Sequence, residues 1–176
     1  MLSSTASTVL LDHFQALFLD LDGVVYRSGQ AIEHAVPTLN QAQGIGIDVR
    51  YLTNNASRSP DEVAHVLKSL GLNATTESVI TAAMAVADLM SNDFPQGSAV
   101  FVVGHSGLEL ALREVGLVPT RVASCEVVAV VQGHSPDTSW RDLAAAGYLI
   151  SAGVPWYASN TDSSIPTEHG LAPGNG

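Results

Sequence analysis

Two carboxylates one residue apart, Asp20 and Asp22, are the side chains of this sequence best placed to do chemistry. They sit in the run FQALFLDLDGVV, from Phe14 to Val25, just before Gly23. If extended backbone persists to the end of that run, alternate residues face the same way and both acids project together. Like charges held that close repel, and are poorly tolerated without a cation or a shared proton. Such a pair can divide the labour of phosphoryl transfer. One carboxylate attacks phosphorus, while the other protonates the leaving oxygen and later activates water. A hard cation such as Mg²⁺, held by carboxylate, carbonyl and water oxygens, would relieve the repulsion and neutralise a phosphoryl group. The plainer alternative is a buried strand that runs into a solvated Asp-Gly turn.

The elements that must position these acids follow in order. A polar loop over Tyr26 to His34 leads to a helix expected from Val36 to Gln43, closed by Gly44 and Gly46. A second apolar run, Val49 to Leu52, ends in Thr53, Asn54 and Asn55. Strand, helix, strand reads as a parallel βαβ unit, whose ligands sit beyond the carboxyl ends of the strands. Both polar clusters fall at those ends, where Thr53 and nearby backbone amides could hold phosphate oxygens. Ser59-Pro60-Asp61-Glu62 has the form of a capping box with proline at the first helical position, and Val63, Val66, Leu67 and Leu70 follow at helical spacing. Val79 and Ile80 suggest a short strand, and Ala82 to Met90 another helix. From about residue 95 the pattern restarts: strand Ser98 to Val103, helix Gly107 to Val115, strand Val127 to Val131, helix Trp140 to Ser151, strand Trp156 to Ser159. The expected fold is therefore α/β. It would comprise the first half of a Rossmann-like parallel-sheet core over residues 1–94 and a second α/β unit over 95–176. From Asn160 onward the sequence is loop chemistry without a closing strand or helix, which suggests a chain cut short.

Composition narrows the function. Of 176 residues, 46% are hydrophobic and 14% charged, as in an ordered globular protein. Seven basic against 17 acidic residues give a net charge of −10, which argues against nucleic acid or anionic lipid as main partner. A small phosphorylated substrate remains compatible, given local neutralisation by a metal. A lone cysteine, Cys125, excludes an internal disulfide and a cysteine-based metal cluster. The absence of a basic leader and of any long apolar stretch makes a cytoplasmic location, without membrane attachment, the expectation.

Other motifs are weaker. The histidines His13, His34, His65, His105, His134 and His169 lack zinc-site spacing. Gly104 and Gly107 read as a strand-to-helix turn. Ser106, in GHSGL, has the outline of a nucleophile elbow, so serine esterase chemistry stands as an alternative.

FLDLDGVVY and, later, YLTNNASRS resemble motifs I and II of the haloacid dehalogenase superfamily, which are mostly Mg²⁺-dependent phosphatases working through a phosphoaspartate. The TNN sequence followed by a second α/β unit resembles the subgroup with a large α/β cap. FVVGHSGLELALREVGL, VVQGHSPDTSW and ASNTDSSIPTEHGLAPGNG continue the likeness. The resemblance implies Asp20 as nucleophile and Asp22 as general acid/base, both on the metal. It implies Thr53 as phosphate ligand with Asn54 and Asn55 lining the same pocket, Arg58 near anionic substrate, and a cap substrate loop around Asn160 and Asp162, with His169 as a weaker candidate there. The implied substrate is a small phosphorylated metabolite, and the implied cap also allows a homodimer, since caps in this subgroup can pair.

The departures are equally specific. A motif III lysine and motif IV acids should follow the cap, and neither can be placed. Lys68, the sole lysine, lies in the helix after motif II, and Ser135 stands where subgroup members often have an acid. An inactive fragment with a partial phosphate pocket is therefore the rival reading.

Overall fold

In a computed structural model the described residues are 13–27, 29–167 and 169–174. They form two compact units: the chain through Thr53 together with Asp61–Ile80, and Asn54–Pro60 together with the chain from Thr81.

The first unit is built on strand β1 (Ala16–Asp20), paired in parallel with β4 (Asp48–Thr53), beyond which lies the short β5 (Val79–Thr81). The period of two in β1 is legible in its burial. Leu21 is fully buried, Leu17 and Leu19 are partly so, and Phe18, Asp20 and Asp22 are exposed. The inward residues join Val49 and Tyr51 of β4 in one core. Two helices pack on that core, α1 (Ala35–Gly44) through Leu39 and Ala42, and α2 (Pro60–Ser69) through Val63, Ala64 and Leu67. In α2, Pro60 opens the helix where its missing N–H has no bond to lose. Asp61 and Glu62 in the first turn and Lys68 in the last complement the helix dipole. The segment read as a polar loop instead holds a hairpin of β2 (Tyr26–Arg27) and β3 (Gln30–Ala31).

The second unit is a parallel four-stranded sheet in the order β7-β6-β8-β9, comprising β6 (Ala99–Val103), β7 (Val118–Thr120), β8 (Val127–Gln132) and β9 (Trp156–Ala158). Its central strands are covered on both faces and accordingly read as unbroken apolar runs. Val100, Val102, Ala129 and Val131 meet α3 (Ala82–Asp93) and α4 (Ser106–Glu114). Phe101, Val103 and Val130 meet α5 (Trp140–Ser151) through Ala146, Ala145, Leu149 and Ile150.

Two sequence readings change. Helix α3 packs with α4 on the second sheet through Val86, Ala87 and Met90, and so belongs to the second compact unit. β7 lies between α4 and β8, where the sequence shows no strand signal; its Pro119 is tolerated because this is an edge strand. The stretch after Asn160 is not all loop, since β10 (Ser164–Thr167) and β11 (Gly170–Pro173) pair as an antiparallel hairpin.

Helix α5 starts where a complete capping box stands. The Ser139 amide and hydroxyl donate to Asp142 Oδ2 at 2.9 and 2.7 Å, and the Asp142 amide returns a bond to Ser139 Oγ at 3.2 Å. The Ser139 side-chain and backbone bonds hold the Asp142 carboxyl below the usual carboxylate range. A depressed folded-state pKa stabilises above the unfolded value and is lost as pH falls through the folded one. Ser139→Ala should therefore cost about 0.5–1 kcal/mol at neutral pH. It should also return the Asp142 titration, followed by NMR, toward the ordinary range. The stability gap to the parent should close as the medium is acidified below that range. A gap independent of pH would show that the box does not couple to Asp142 ionisation.

Candidate active site

Asp20 is the last residue of β1, and its Oδ1 accepts the Leu21 amide at 2.8 Å. Leu21 plugs into the core, so its two acidic neighbours are both turned outward. The backbone then folds back at once: the Val25 amide donates to Leu21 O at 2.9 Å and the Gly23 amide to Tyr26 O at 2.8 Å. Gly23 takes φ +83°, a left-handed conformation open to glycine at little cost. Asp22 forms an isolated bridge with Tyr26 across this turn.

β1 and β4 run in register with Asp20 opposite Leu52, which places Thr53 one residue further along at the same end of the sheet. Thr53 is only 6% exposed, one of two polar residues among the described ones to be so buried. The first unit thus brings Asp20, Asp22 and Thr53 together beyond the carboxyl ends of adjacent parallel strands, as the sequence reading expected. Two carboxylates with a neighbouring hydroxyl fit Mg²⁺, which takes one or two carboxylates, keeps several waters and shares substrate phosphate oxygens. Among the described residues no three His, Cys, Asp or Glu side chains cluster tightly enough to hold an ion by themselves.

The remaining expected residues belong to the second unit. Asn55 Oδ1 accepts the Ser57 amide at 2.8 Å and the Ser57 hydroxyl at 2.7 Å, closing an Asx turn. Asn54 Nδ2 donates to Asp162 Oδ2, Asn160 Nδ2 donates to Asn54 O at 2.8 Å, and the Asp162 amide donates to Asn160 Oδ1 at 3.0 Å. The loop after motif II is therefore tied to the loop after β9, residues 106 to 108 positions apart in the chain. Arg58 is exposed on the same loop, and His169 is exposed in the turn of the β10–β11 hairpin.

Sequence reasoning missed a clamp on this loop. Ser57 O accepts the Gly107 amide at 3.2 Å and lies 3.0 Å from His105 Nδ1. A carbonyl can only accept, so His105 Nδ1 carries the proton. His105 is therefore no general base for Ser106. Its Oγ lies 2.9 Å from the same Nδ1, which is occupied as a donor and cannot take the serine proton. Gly107 is required by space: a Cβ there would stand 2.6 Å from both Arg58 C and Arg58 O. The glycine spacing of GHSGL was the available signal, but nothing local distinguishes a close approach from an ordinary turn.

A family profile described as Haloacid dehalogenase-like hydrolase matches residues 17–118. The D-glycerol 3-phosphate phosphatase of Mycobacterium tuberculosis is 44% identical over 160 residues, covering 91% of this chain and 44% of that protein. An acid sugar phosphatase of Staphylococcus aureus is 34% identical over 166 residues, covering 94% of this chain and 63% of the relative. A crystal structure of the Mycobacterium tuberculosis glycerol phosphate phosphatase in complex with magnesium matches with a TM-score of 0.89 at 42% identity, over 94% of this chain and 50% of that one. The chain thus spans about half the length of the first relative and under two-thirds of the second. With more than half of its residues inside the family match, and both strand-end clusters among them, the chain belongs to the haloacid dehalogenase-like hydrolases.

Proposed function

We propose that this protein hydrolyses a small phosphate monoester with Mg²⁺ through a phosphoaspartate on Asp20. The observation that carries the reading is the placement of Asp20, Asp22 and Thr53 at one end of two adjacent parallel strands. The Leu21 amide orients the Asp20 carboxylate and leaves Oδ2 to attack phosphorus. The new Asp20 O–P bond forms as the bond to the leaving alcohol breaks, and Asp22 gives that alcohol its proton. Asp22 then takes a proton from water, which attacks the phosphoaspartate, releases inorganic phosphate and restores Asp20. Thr53 holds a phosphate oxygen, as do backbone amides after it. Mg²⁺ on Asp20 and Asp22 would neutralise charge on the phosphoryl group. Asn54, Asn55, Arg58, Asn160 and Asp162, which belong to the second unit, are proposed as substrate-binding residues on the family resemblance. Residues 1–94 would form the core part and residues 95–176 the cap.

Small two- or three-carbon phosphates such as phosphoglycolate or glycerol phosphate are the proposed substrate class, the latter being the one named for a relative. The test is phosphate release from glycerol 3-phosphate with Mg²⁺. Chelation with EDTA should cut the rate about 100-fold or more, and added Mg²⁺ should restore it. Release that ignores the chelator, or no release with any small phosphate ester, would overturn the reading. The second outcome favours a phosphate pocket without turnover. That rival rests on the lack of a third clustered acid among the described residues and on the position of the only lysine, Lys68, in α2.

A further inference from the structure

His105 stands at the N-cap of α4, where Ser, Thr, Asp or Asn would accept a backbone N–H of the first turn. Its side chain makes no such bond. Instead Nδ1 donates away from its own helix, to Ser57 O at 3.0 Å, across 48 positions of sequence. Ser106 Oγ lies 2.9 Å from the same nitrogen. For the helix alone a serine or an aspartate would be the better residue; what the imidazole adds is the bond to Ser57.

Ser57 is the far end of a segment fixed twice. Its carbonyl oxygen accepts both His105 Nδ1 and the Gly107 amide, which occupies both lone pairs. Its amide and hydroxyl donate to Asn55 Oδ1 at 2.8 and 2.7 Å, so the Asn55 side chain and the turn it closes take their position from Ser57. At the near end, Asn160 Nδ2 donates to Asn54 O at 2.8 Å. Ala56, between the two ties, is buried. The segment belongs to the second unit, yet it continues directly from Thr53, the last residue of β4.

We propose that His105 is a positioning residue for phosphate: by fixing Ser57 it keeps the turn from Asn54 to Ser57 in the shape whose amides hold a phosphate oxygen. This role rests on the phosphatase reading, in which Thr53 and the amides after it are the phosphate ligands. Amide dipoles serve an anion best when they are already oriented, because nothing is then spent on turning them at the moment of need. A segment that adopts the binding shape only part of the time binds more weakly by that fraction. His105 touches no substrate in this role. Nor does protonation switch it, since imidazolium and this tautomer of imidazole both carry the Nδ1 proton.

Titration calorimetry with inorganic phosphate and Mg²⁺ reads the role without turnover, and phosphate release from glycerol 3-phosphate reads it with turnover. His105→Ala should weaken phosphate binding and raise KM together, by about fivefold to tenfold, with kcat within about twofold of the parent. His105→Asn sets an amide nitrogen close to the place of Nδ1 and should return both values to within about twofold of the parent. His105→Gln carries its nitrogen further out and should resemble the alanine variant. Ser106→Ala removes the neighbouring hydroxyl but not the bond to Ser57, and should bind phosphate as the parent does. A lower melting temperature in His105→Ala with unchanged phosphate affinity and KM would make the residue merely structural and overturn the proposal. Asparagine and glutamine variants that behave alike overturn it too, even where the alanine variant fails to fold. A parent that binds phosphate but releases none sinks the hydrolytic reading, and the titration then decides His105 by the same comparison. A parent that binds no phosphate overturns both.

Discussion

Asp20→Asn is expected to lower Mg²⁺-dependent phosphate release about 1,000-fold or more while leaving the fold intact. The amide is a poor nucleophile toward phosphorus and a poor ligand for a hard cation. Its oxygen can still accept the Leu21 amide, so the local geometry should persist. Asp20 is exposed, and its substitution removes one of two neighbouring negative charges. Thermal stability should accordingly change by no more than about 0.5 kcal/mol, with any change favouring the variant. This combination, lost turnover with preserved melting, separates a catalytic group from a structural one. Full activity in the variant would remove Asp20 from the chemistry.

Gly107→Ala should destabilise the protein by about 1–3 kcal/mol, from overpacking against a surface that cannot yield. The added methyl would meet Arg58 C and O at 2.6 Å and Ser57 O at 2.8 Å, all of them backbone atoms. Relief requires the loop carrying Asn54, Asn55 and Arg58 to move away from the start of α4. That movement breaks the bond from the Gly107 amide to Ser57 O and strains the one from His105. A drop in melting temperature of several degrees, about 2–4 °C per kcal/mol for a chain of this size, is the expected reading. Gly147→Ala is the control, since a Cβ there meets nothing within 4 Å. Equal melting of Gly107→Ala and the parent would show that the loop is not clamped.

Much of this fold and half of its candidate site are legible in the residues. Strand β1 and its acids follow from alternation. Central strands β6 and β8 follow from unbroken Val-rich runs, and α5 from Ser139 and Asp142 at one end and Gly153 at the other. These signals are local, because they depend on backbone periodicity and on hydrogen bonds between near neighbours in sequence. The hairpins at Tyr26–Ala31 and Ser164–Pro173 carry no such signal, being short and mostly exposed. The Ala-rich helix α3 could not declare which sheet it serves. Ala83 and Ala87 fit any flat apolar surface, and only the meeting of Val86 and Met90 with the second unit's core decides it.

The sequence by itself determined that two carboxylates stand at the end of one strand and a threonine at the end of the next. Spacing along a strand is sufficient to put Asp20 and Asp22 on one side, because the period is two whatever surrounds it. Only the tertiary structure decided that Asn54 is held by Asp162 and Asn160, that Ser57 is gripped from His105 and Gly107, and that α5 shows an apolar face on each side. Those facts join residues remote in the chain, and contact between remote residues is set by how elements pack rather than by any local preference.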